Sequence, residues 1–275
     1  MRKEIIRKSF EKCKTGVIYF FSGTGNTAYV VNRYRDLFKE KNISVDLIPI
    51  SQIQEVTTQK KYDFLIIACP VYSWYPPEMV LSFVDRLPET KNKPVFVITT
   101  YGASDGDTTG KIVRILEKKN YFVYGTFGYL MPDNVYFIFN KDAPTKAQSK
   151  KIIDQATIKI NNDFVDILNN QGKVKRSNYF TRAFCYLIYK AFKLFTKKKK
   201  WVVDKDLCTL CGLCEKNCPT KNITIKKAKK EVKFGNDCMF CTRCYNFCPV
   251  NAIHYKSIKK TKKFRRYTEK KDQIN

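Results

Sequence analysis

The stretch GVIYFFSGTGNT, residues 16–27, runs from an apolar segment into a glycine-rich turn, and the residues after it carry apolar side chains at helical spacing as far as Phe38. This order predicts a strand, a loop and a helix. Unpaired backbone N–H groups at the start of a helix, together with the helix dipole, favour an anion. The loop also carries the hydroxyls of Ser22, Thr24 and Thr27 and the amide of Asn26. We therefore expect a phosphate group to bind there.

The alternation of strands and helices continues along the first part of the chain. Apolar segments that predict strands lie at 43–50, 63–70, 94–101 and near 121–130, and stretches with helical spacing separate them. Five apolar strands alternating with helices predict an α/β domain whose parallel sheet is covered on both faces. A long polar helix, at about 143–170, would close this domain, which we place at residues 14–170.

Eight of the eleven cysteines fall in the last quarter of the chain, in two runs of the same spacing. The first run contains Cys208, Cys211, Cys214 and Cys218, and the second contains Cys238, Cys241, Cys244 and Cys248. In bacterial two-cluster ferredoxins, three closely spaced cysteines hold one 4Fe-4S cluster and the fourth, before a proline, ligates the other. This spacing assigns Cys208, Cys211, Cys214 and Cys248 to one cluster and Cys238, Cys241, Cys244 and Cys218 to the other. Structural zinc sites also use CxxC pairs, but they do not call for two identical four-cysteine runs that each end in proline.

The glycine-rich loop also allows a dinucleotide site as an interpretation. Gly23, Gly25 and Ala28 match the spacing of the dinucleotide fingerprint, and Asp46 lies about as far along as the acidic residue that contacts the ribose. However, Asp46 lies inside its predicted strand and not at the end of it. The several hydroxyls of the loop suit a terminal phosphomonoester better than a bridging pyrophosphate.

The sequence SGTGNT after a first strand resembles the phosphate loop of flavodoxins, whose ligand is FMN. The resemblance covers about residues 16–165 and implies a doubly wound parallel sheet of order 2-1-3-4-5, with FMN at the carboxyl ends of the strands. The cofactor-binding residues that it implies in the phosphate loop are Ser22, Gly23, Thr24, Gly25, Asn26 and Thr27. Those that it implies beside the flavin ring are Pro70, Val71, Tyr72, Ser73 and Trp74 in one loop and Thr100, Tyr101, Gly102 and Ala103 in the other. Tyr72 or Trp74 is the candidate for stacking on the ring, although an aromatic residue at the end of a strand is commonly only packed.

A basic connector, residues 171–200, separates the two regions. One helical face of this segment carries Phe180, Phe184, Leu187, Ile188, Ala191, Phe192 and Phe195, and Arg182, Lys190 and Lys193 lie on the rest. We expect a connecting helix that packs this apolar face on one of the domains. A basic helix on a membrane surface and a helix that docks a partner are the alternatives. The ferredoxin domain would follow at 201–258, and a basic tail at 259–275 is expected to be disordered.

The whole chain resembles the fused flavodoxin-ferredoxin family, which comprises iron-sulfur flavoproteins of anaerobes. The resemblance implies FMN and two 4Fe-4S clusters as cofactors, a small α+β ferredoxin domain after the α/β domain, and electron transfer between protein partners as the function. The alternative is an enzyme, a flavin-dependent reductase of a small molecule that receives electrons through the clusters. Near the flavin loops only Asp105, Asp107 and Tyr101 are candidates for acid-base chemistry, so we assign no catalytic residue and favour the carrier.

The formal net charge of +27 is unevenly distributed. Residues 1–140 hold 19 basic and 14 acidic side chains, a net of +5, and the remainder holds 33 and 11, a net of +22. This balance suits acidic redox proteins or an anionic membrane surface as partners. Nucleic acid would fit the charge, but no recognition motif supports it.

Location and the remaining sulfur residues complete the expectations. The amino terminus has no signal-peptide pattern and no apolar run has the length of a membrane span, so we expect the reducing cytoplasm. Cys13, Cys69 and Cys185 are expected to be ordinary packed or surface thiols. His254, the only histidine, is expected to be a strand residue.

Overall fold

The computed structural model describes residues 13–53, 61–139, 141–169, 171–197 and 201–255. They form an α/β unit, a connector helix and a small second unit. The predicted tail at 259–275, residues 256–258 of the predicted ferredoxin domain and residues 198–200 of the connector lie outside the described residues.

The α/β unit is a five-stranded parallel sheet with helices on both faces. Its strands are β1 (Thr15–Phe20), β2 (Ser44–Pro49), β3 (Phe64–Pro70), β4 (Pro94–Tyr101) and β5 (Phe122–Leu130). Its helices are α1 (Asn26–Glu40), α2 (Glu78–Arg86), α3 (Thr108–Lys118) and α4 (Lys146–Leu168). The strand order is 2-1-3-4-5 and every pairing is parallel. This order confirms the predicted flavodoxin-like doubly wound fold.

The sheet separates two apolar cores, because successive side chains of a strand point to opposite faces. In β1, Ile18 packs in the core that α1 and α4 cover, and Val17 packs in the core that α2 and α3 cover. Since all five strands run in the same direction, their carboxyl ends lie along one edge of the sheet. The loops that follow β1, β3, β4 and β5 meet at this edge.

The second unit consists of two small antiparallel sheets and two short helices. The strand β6 (Trp201–Val203) pairs with β9 (Ile253–Tyr255), and β7 (Ile223–Lys226) pairs with β8 (Glu231–Phe234). The helices α6 (Leu213–Lys216) and α7 (Arg243–Asn246) each lie inside one cysteine run. His254 pairs with Val202 and is therefore a strand residue, as expected.

The sequence repeat of the cysteine runs is also a repeat of backbone conformation. Positive φ angles occur at Leu210, Gly212 and Lys221, and again 30 residues later at Phe240, Thr242 and Asn251. The positive φ at Gly212 and Thr242 immediately precedes α6 and α7, respectively. Each run therefore follows the same path around its cysteines.

The connector helix α5 (Tyr179–Lys197) lies against both units. Tyr189 stacks on Tyr75 of the α/β unit, with ring centroids 4.6 Å apart. Phe192 contacts Phe240 of the second unit, with ring centroids 5.6 Å apart. In the part of the chain that the structure describes, no helix combines the length and the apolar character needed to cross a membrane.

The apolar face predicted for this helix does not pack as a whole on a domain. The side chains of Phe180, Phe184 and Leu187 are 81%, 56% and 65% exposed. Of the predicted face, Ile188 and Phe192 turn inward, and the side chain of Phe195 lies outside the described residues. The packed side of the helix is rotated from the predicted one, because Tyr75 and Phe240 contact Tyr189 and Phe192. The predicted helix is present, but the expectation that its apolar face is covered is wrong.

An aromatic cluster joins the α/β unit to the second unit. The segment after β5 contributes Tyr136 and Phe137 to a buried group that includes Trp201 and Phe240. The rings of Phe137 and Tyr245 are 4.2 Å apart. Burial of several aromatic side chains at one contact is a strong stabilising contribution, so this cluster stabilises the packing of the two units.

Candidate cofactor sites

A cavity of about 480 Å³ lies at the carboxyl edge of the parallel sheet. This volume is typical of a site for a small molecule or cofactor. The residues of the predicted set that line it are Ser22, Gly23, Thr24, Asn26, Thr27, Pro70, Val71, Tyr72, Ser73, Trp74, Thr100, Tyr101, Gly102 and Ala103. Gly25 is the one member of that set that does not line it. It precedes α1 with a φ of 100°, a conformation that favours glycine.

The loop between β1 and α1 is organised by its own hydroxyl groups. Ser22 Oγ accepts hydrogen bonds from the backbone N–H groups of Gly25 and Ala28, both at 3.2 Å. The hydroxyl of Ser22 therefore keeps its proton for donation to a further acceptor. Thr27 Oγ1 lies 2.8 Å from Thr100 Oγ1, which ties the loop to the end of β4. The first turn of α1 lies at the cavity wall, where its N–H groups and dipole favour an anion.

Asp46, the acidic residue of the dinucleotide interpretation, does not line the cavity. It lies within β2, where it pairs with Val17 of β1, and its side chain accepts a hydrogen bond of 2.7 Å from the hydroxyl of Tyr62. A ribose contact requires an acidic group at the end of the second strand, facing the site. The position of Asp46 therefore argues against a dinucleotide.

The first predicted flavin loop is a tight turn with a strained backbone. Tyr72 and Tyr75 exchange two backbone hydrogen bonds, of 3.0 and 3.2 Å, and both residues between them have positive φ, 49° at Ser73 and 61° at Trp74. Two consecutive positive φ values define a type I′ turn, which residues other than glycine, asparagine and aspartate adopt at a cost. Strain of this kind persists where the surroundings hold it and is concentrated at functional sites.

The second predicted flavin loop holds that turn in place. Trp74 O accepts a hydrogen bond of 3.0 Å from the backbone N–H of Asp107. Gly106 has a φ of 52°, and a Cβ added there would lie 2.3 Å from Cβ of Trp74. Only glycine fits at this contact, so the two loops form one rigid wall of the cavity.

The acidic side chains of the second loop are engaged in structural contacts. Asp105 and Asp107 are buried. Asp105 forms an ion pair with Lys175 and accepts a hydrogen bond of 2.7 Å from Thr109 Oγ1. Asp107 forms a two-point ion pair with Arg114, with distances of 3.1 and 2.5 Å. Neither carboxylate lines the cavity, and of the three acid-base candidates only Tyr101 does.

Other residues, outside the predicted set, complete the walls of the cavity. The segment after β5 supplies Pro132, Asp133, Asn134, Val135 and Ile138, and the loop after β4 adds Ser104. Asn134 donates a hydrogen bond to Thr24 Oγ1, and Asn26 Nδ2 donates one of 2.9 Å to Pro132 O. The topology could have indicated this segment, because it follows a strand whose carboxyl end lies at the same edge of the sheet.

The remaining wall of the cavity comes from outside the α/β unit. It consists of Ile188 and Phe192 of α5 and Phe240 of the second cysteine run. These apolar side chains cover a side that the loops of the sheet leave open. No motif in the sequence indicated this contact, because it depends on how the second unit packs on the first.

Two small cavities in the second unit are lined by the cysteines of the two runs. Cys208, Cys211, Cys214 and Cys248 line one small cavity together with Cys244. The pKa of Cys214 is raised to about 11, mainly by burial. A backbone hydrogen bond opposes this effect, and the neighbouring Cys211, Cys248 and Cys208 add to it. Cys248 is therefore near the first run, 30 residues away from its own repeat position at Cys218.

The second set lines another small cavity, formed by Cys218, Cys238, Cys241 and Cys244. Burial raises the pKa of Cys241 to about 12, Arg243 opposes this effect, and the neighbouring Cys238 and Cys218 add to it. Thiols with a raised pKa carry their protons at neutral pH, and metal binding must displace them. Among the described residues, no three Cys, His, Asp or Glu side chains could share a single metal ion. In a 4Fe-4S cube each iron takes one cysteine, so the four sulfurs need not converge on one point.

The loop of the second cysteine set touches the phosphate loop directly. A Cβ added at Gly23 would lie 3.0 Å from Cys241 O and 2.7 Å from the hydroxyl of Tyr72. Arg243 donates three hydrogen bonds to backbone carbonyls. Nε donates to Gly23 O at 2.9 Å, Nη2 donates to Ser22 O, and Nη1 donates to Asn217 O at 3.1 Å. This arginine joins the cavity to both cysteine runs.

Tyr72 lies between the cavity and the second cysteine set. Burial, followed by the proximity of Cys241, raises the pKa of Tyr72 well above its ordinary value. Its hydroxyl therefore stays neutral. The other three cysteines, Cys13, Cys69 and Cys185, are buried thiols, as expected for packed residues.

Comparisons with known proteins give one family match and several similar solved structures. Residues 207–253 match the family described as a 4Fe-4S dicluster domain. Among solved structures, the two-electron reduced flavodoxin of Megasphaera elsdenii is 24% identical over 52% of this chain and 98% of its own, with a TM-score of 0.39. The flavodoxin of Streptococcus pneumoniae TIGR4 is 15% identical over 54% of this chain and 99% of its own, with a TM-score of 0.38. The rubredoxin:oxygen oxidoreductase of Desulfovibrio gigas is 13% identical over 57% of this chain and 39% of its own, with a TM-score of 0.37. No curated protein shows a significant match.

The strand order and the cysteine runs define the class of protein. A flavodoxin-like α/β unit, assigned from the order 2-1-3-4-5, precedes a 4Fe-4S domain in one chain. The chain therefore has a fused flavodoxin-ferredoxin architecture. This combination supports a role in electron transfer.

Proposed function

We propose that this chain relays electrons between two 4Fe-4S clusters and a bound FMN, and that it serves protein redox partners. The observation that carries the proposal is the contact between the sites. Phe240 of the second cysteine run lines the large cavity, and its neighbour Cys241 packs against Gly23 of the phosphate loop. When bound, FMN can exchange one or two electrons and each cluster exchanges one.

The residues of the large cavity fit FMN. Its hydroxyl-bearing loop at a helix N-terminus suits a phosphomonoester, since Ser22 retains a donor proton and Thr24 and Thr27 lie in the wall. The rigid turn at Ser73 and Trp74 offers backbone groups and an aromatic side chain to a flat ring. The apolar wall of α5 and Phe240 would exclude water from the ring.

The two cysteine sets differ in their exposure. The set with Cys218 and Cys241 adjoins the cavity, whereas the set with Cys208, Cys211 and Cys214 lies beyond it, and Cys211 is exposed. We infer that a partner protein exchanges electrons at the exposed set. Lys205 and Lys216 beside this set are accompanied by Asp204, Asp206 and Glu215, so the attraction of an acidic partner rests on the whole domain, where residues 201–255 hold nine basic and five acidic side chains.

The enzyme interpretation receives less support from the site. An enzyme that reduces a small molecule needs space over the flavin and a proton donor beside it. The described cavity is walled on its outer side by Ile188, Phe192 and Phe240, and the carboxylates of Asp105 and Asp107 are turned away from it. We therefore favour the carrier.

The test is anaerobic reconstitution of the full chain with iron, sulfide and FMN, followed by quantification and flash photoreduction. We expect about eight iron atoms and one FMN per chain. After the clusters are reduced by the flash, flavin absorbance should change with a rate constant that is independent of protein concentration, because the exchange occurs within one chain. The rate with an acidic partner protein should fall as salt increases, by screening.

Two results would contradict the proposal. If the reconstituted chain held iron but no stoichiometric FMN, the flavin would have no part in the function. Loaded protein whose flavin is reduced only at a rate proportional to protein concentration would show that the two sites do not communicate within the chain. A partner rate that is indifferent to salt would reject the acidic partner alone.

A further inference from the structure

The outer side of α5 is an exposed apolar stripe. The side chains of Phe180, Leu187 and Leu194 are 81%, 65% and 68% exposed, and Phe184 is 56% exposed. Together with Ala183 and Ala191, these residues recur every three or four positions along one side of the helix. From Phe180 to Leu194 the stripe is about 21 Å long, at the rise of an α-helix.

The opposite side of the helix is already occupied, so the stripe cannot turn inward. Cys185 is buried, Tyr189 stacks on Tyr75, and Phe192 contacts Phe240. Lys193 Nζ forms an ion pair with Glu78 Oε1 at 2.6 Å. These contacts fix the rotation of α5 about its axis, with the stripe directed away from both units.

One edge of the stripe is basic and aromatic. Lys190 is exposed, and Tyr179 and Tyr186 lie on the same edge, 76% and 44% exposed. From residue 167 to residue 203 the sequence has ten basic side chains and no acidic one, including the four lysines 197–200. An apolar stripe bordered by a lysine and two tyrosines, within a basic segment, is the pattern of a helix that lies in the plane of a membrane surface.

We propose that α5 binds an anionic lipid surface, with the stripe inserted among the lipids and Lys190 on the headgroups. Charge complementarity, together with the apolar stripe, favours a lipid surface over an acidic protein. An acidic protein would account for the lysines, but it would leave a convex apolar ridge facing a polar surface. A lipid surface accepts both features, because its headgroups are anionic and its acyl region is apolar.

The binding mode follows from the helix itself. The described helices include none that could cross a membrane, so α5 lies on the surface and does not span it. Its inner side carries Ile188 and Phe192 in the wall of the large cavity. The lipid surface would therefore lie one helix diameter, about 10–12 Å, from that cavity.

The test is sedimentation of the full chain with vesicles. One set contains zwitterionic phosphatidylcholine alone and the other contains phosphatidylcholine with about one third phosphatidylglycerol. We expect binding to the anionic vesicles and at least about tenfold weaker binding to the neutral ones, since Lys190 borders the stripe and the surrounding sequence is strongly basic. The double variant Leu187→Ser with Leu194→Ser should bind the anionic vesicles at least about tenfold more weakly, because it removes two side chains from the apolar contact.

A matched control is available on α4. Ile158 and Val165 are 62% and 52% exposed on that helix, and the double variant Ile158→Ser with Val165→Ser should bind like the parent chain. For the charge, Lys190→Glu should weaken binding about fivefold or more, and Lys146→Glu, at an exposed position of α4, should have a smaller effect. Unfolding curves of all variants check that each is folded.

Three results would overturn the proposal. The first is the absence of binding to anionic vesicles. The second is binding that salt abolishes and that the Leu187 and Leu194 changes leave intact, which would assign it to basic residues elsewhere. The third is self-association of the chain that the same two changes abolish, without lipid binding, which would assign the stripe to a second copy.

Discussion

Arg243 is the residue whose replacement tests most directly how the two units are joined. Its guanidinium donates to the carbonyls of Gly23, Ser22 and Asn217. A hydrogen bond from a charged donor contributes about 1.5–3 kcal/mol. In Arg243→Gln the carbonyls regain water in part and the glutamine amide can replace one bond. We therefore expect the contact to lose about 2–4 kcal/mol, which is a factor of about 30 to 1,000 in an equilibrium constant.

The assay is hydrogen exchange of the phosphate loop in the loaded protein under anaerobic conditions. The amides of Gly25 and Ala28 donate to Ser22 Oγ, and Arg243 holds the backbone carbonyl of the same serine. Exchange of these amides reports the free energy of local opening. Their protection should fall by the factor given above in Arg243→Gln, and by less in Arg243→Lys, which can reach fewer carbonyls at once.

The matched control is Arg35→Gln. Arg35 is exposed on α1 and pairs with the adjacent Asp36, so its loss should leave the protection of the loop unchanged. If Arg243→Gln changed the protection by less than about threefold, the net contribution of the Arg243 contacts would be below about 1 kcal/mol, and Arg243 would not be the residue that joins the two sites.

Three further changes test other parts of the structure. Gly23→Ala would bring a Cβ to 3.0 Å from Cys241 O, so we expect a destabilisation of about 1–3 kcal/mol and slower flavin reduction after flash reduction of the clusters; an unchanged rate would contradict the close contact. Cys248→Ser should deplete the first cluster, not the second, in iron analysis and EPR, and loss of the second alone would reverse the assignment. Tyr34→Phe removes the bond of 2.5 Å between the hydroxyls of Tyr34 and Tyr129 and should lower the free energy of unfolding by about 0.5–1.5 kcal/mol in denaturant titrations; an equally stable variant would show that the bond contributes nothing.

Much of the fold was predictable because its signals are local. The strand, glycine loop and helix of residues 16–38 and the alternation after it predict the parallel sheet, whose edge then collects the loops after β1, β3 and β4. The cysteine spacing predicts the two sets, because the path of each run is fixed by short steps between ligands. Fourteen of the fifteen predicted flavin-site residues line the cavity for this reason, and Gly25 is exceptional because it serves the backbone turn.

What the sequence did not predict depends on packing between distant segments. Phe240 and Phe192 line the cavity because the second unit and α5 dock there, and neither carries a motif for that role. The rotation of α5 was predicted wrongly for the same reason. Hydrophobic periodicity identifies the apolar side of a helix, but Tyr75 and Phe240 decide which side is covered.

The exchange of Cys218 and Cys248 between the two sets has a consequence for synthesis of the protein. Cys248 lies with the first run although the chain reaches it last of the eight, and Cys218 lies with the second run. On the ribosome, the first three cysteines therefore wait for about thirty more residues before their fourth partner exists. Neither set is complete before Cys244 has been made, so a product truncated ahead of that residue would contain neither full set of four cysteines.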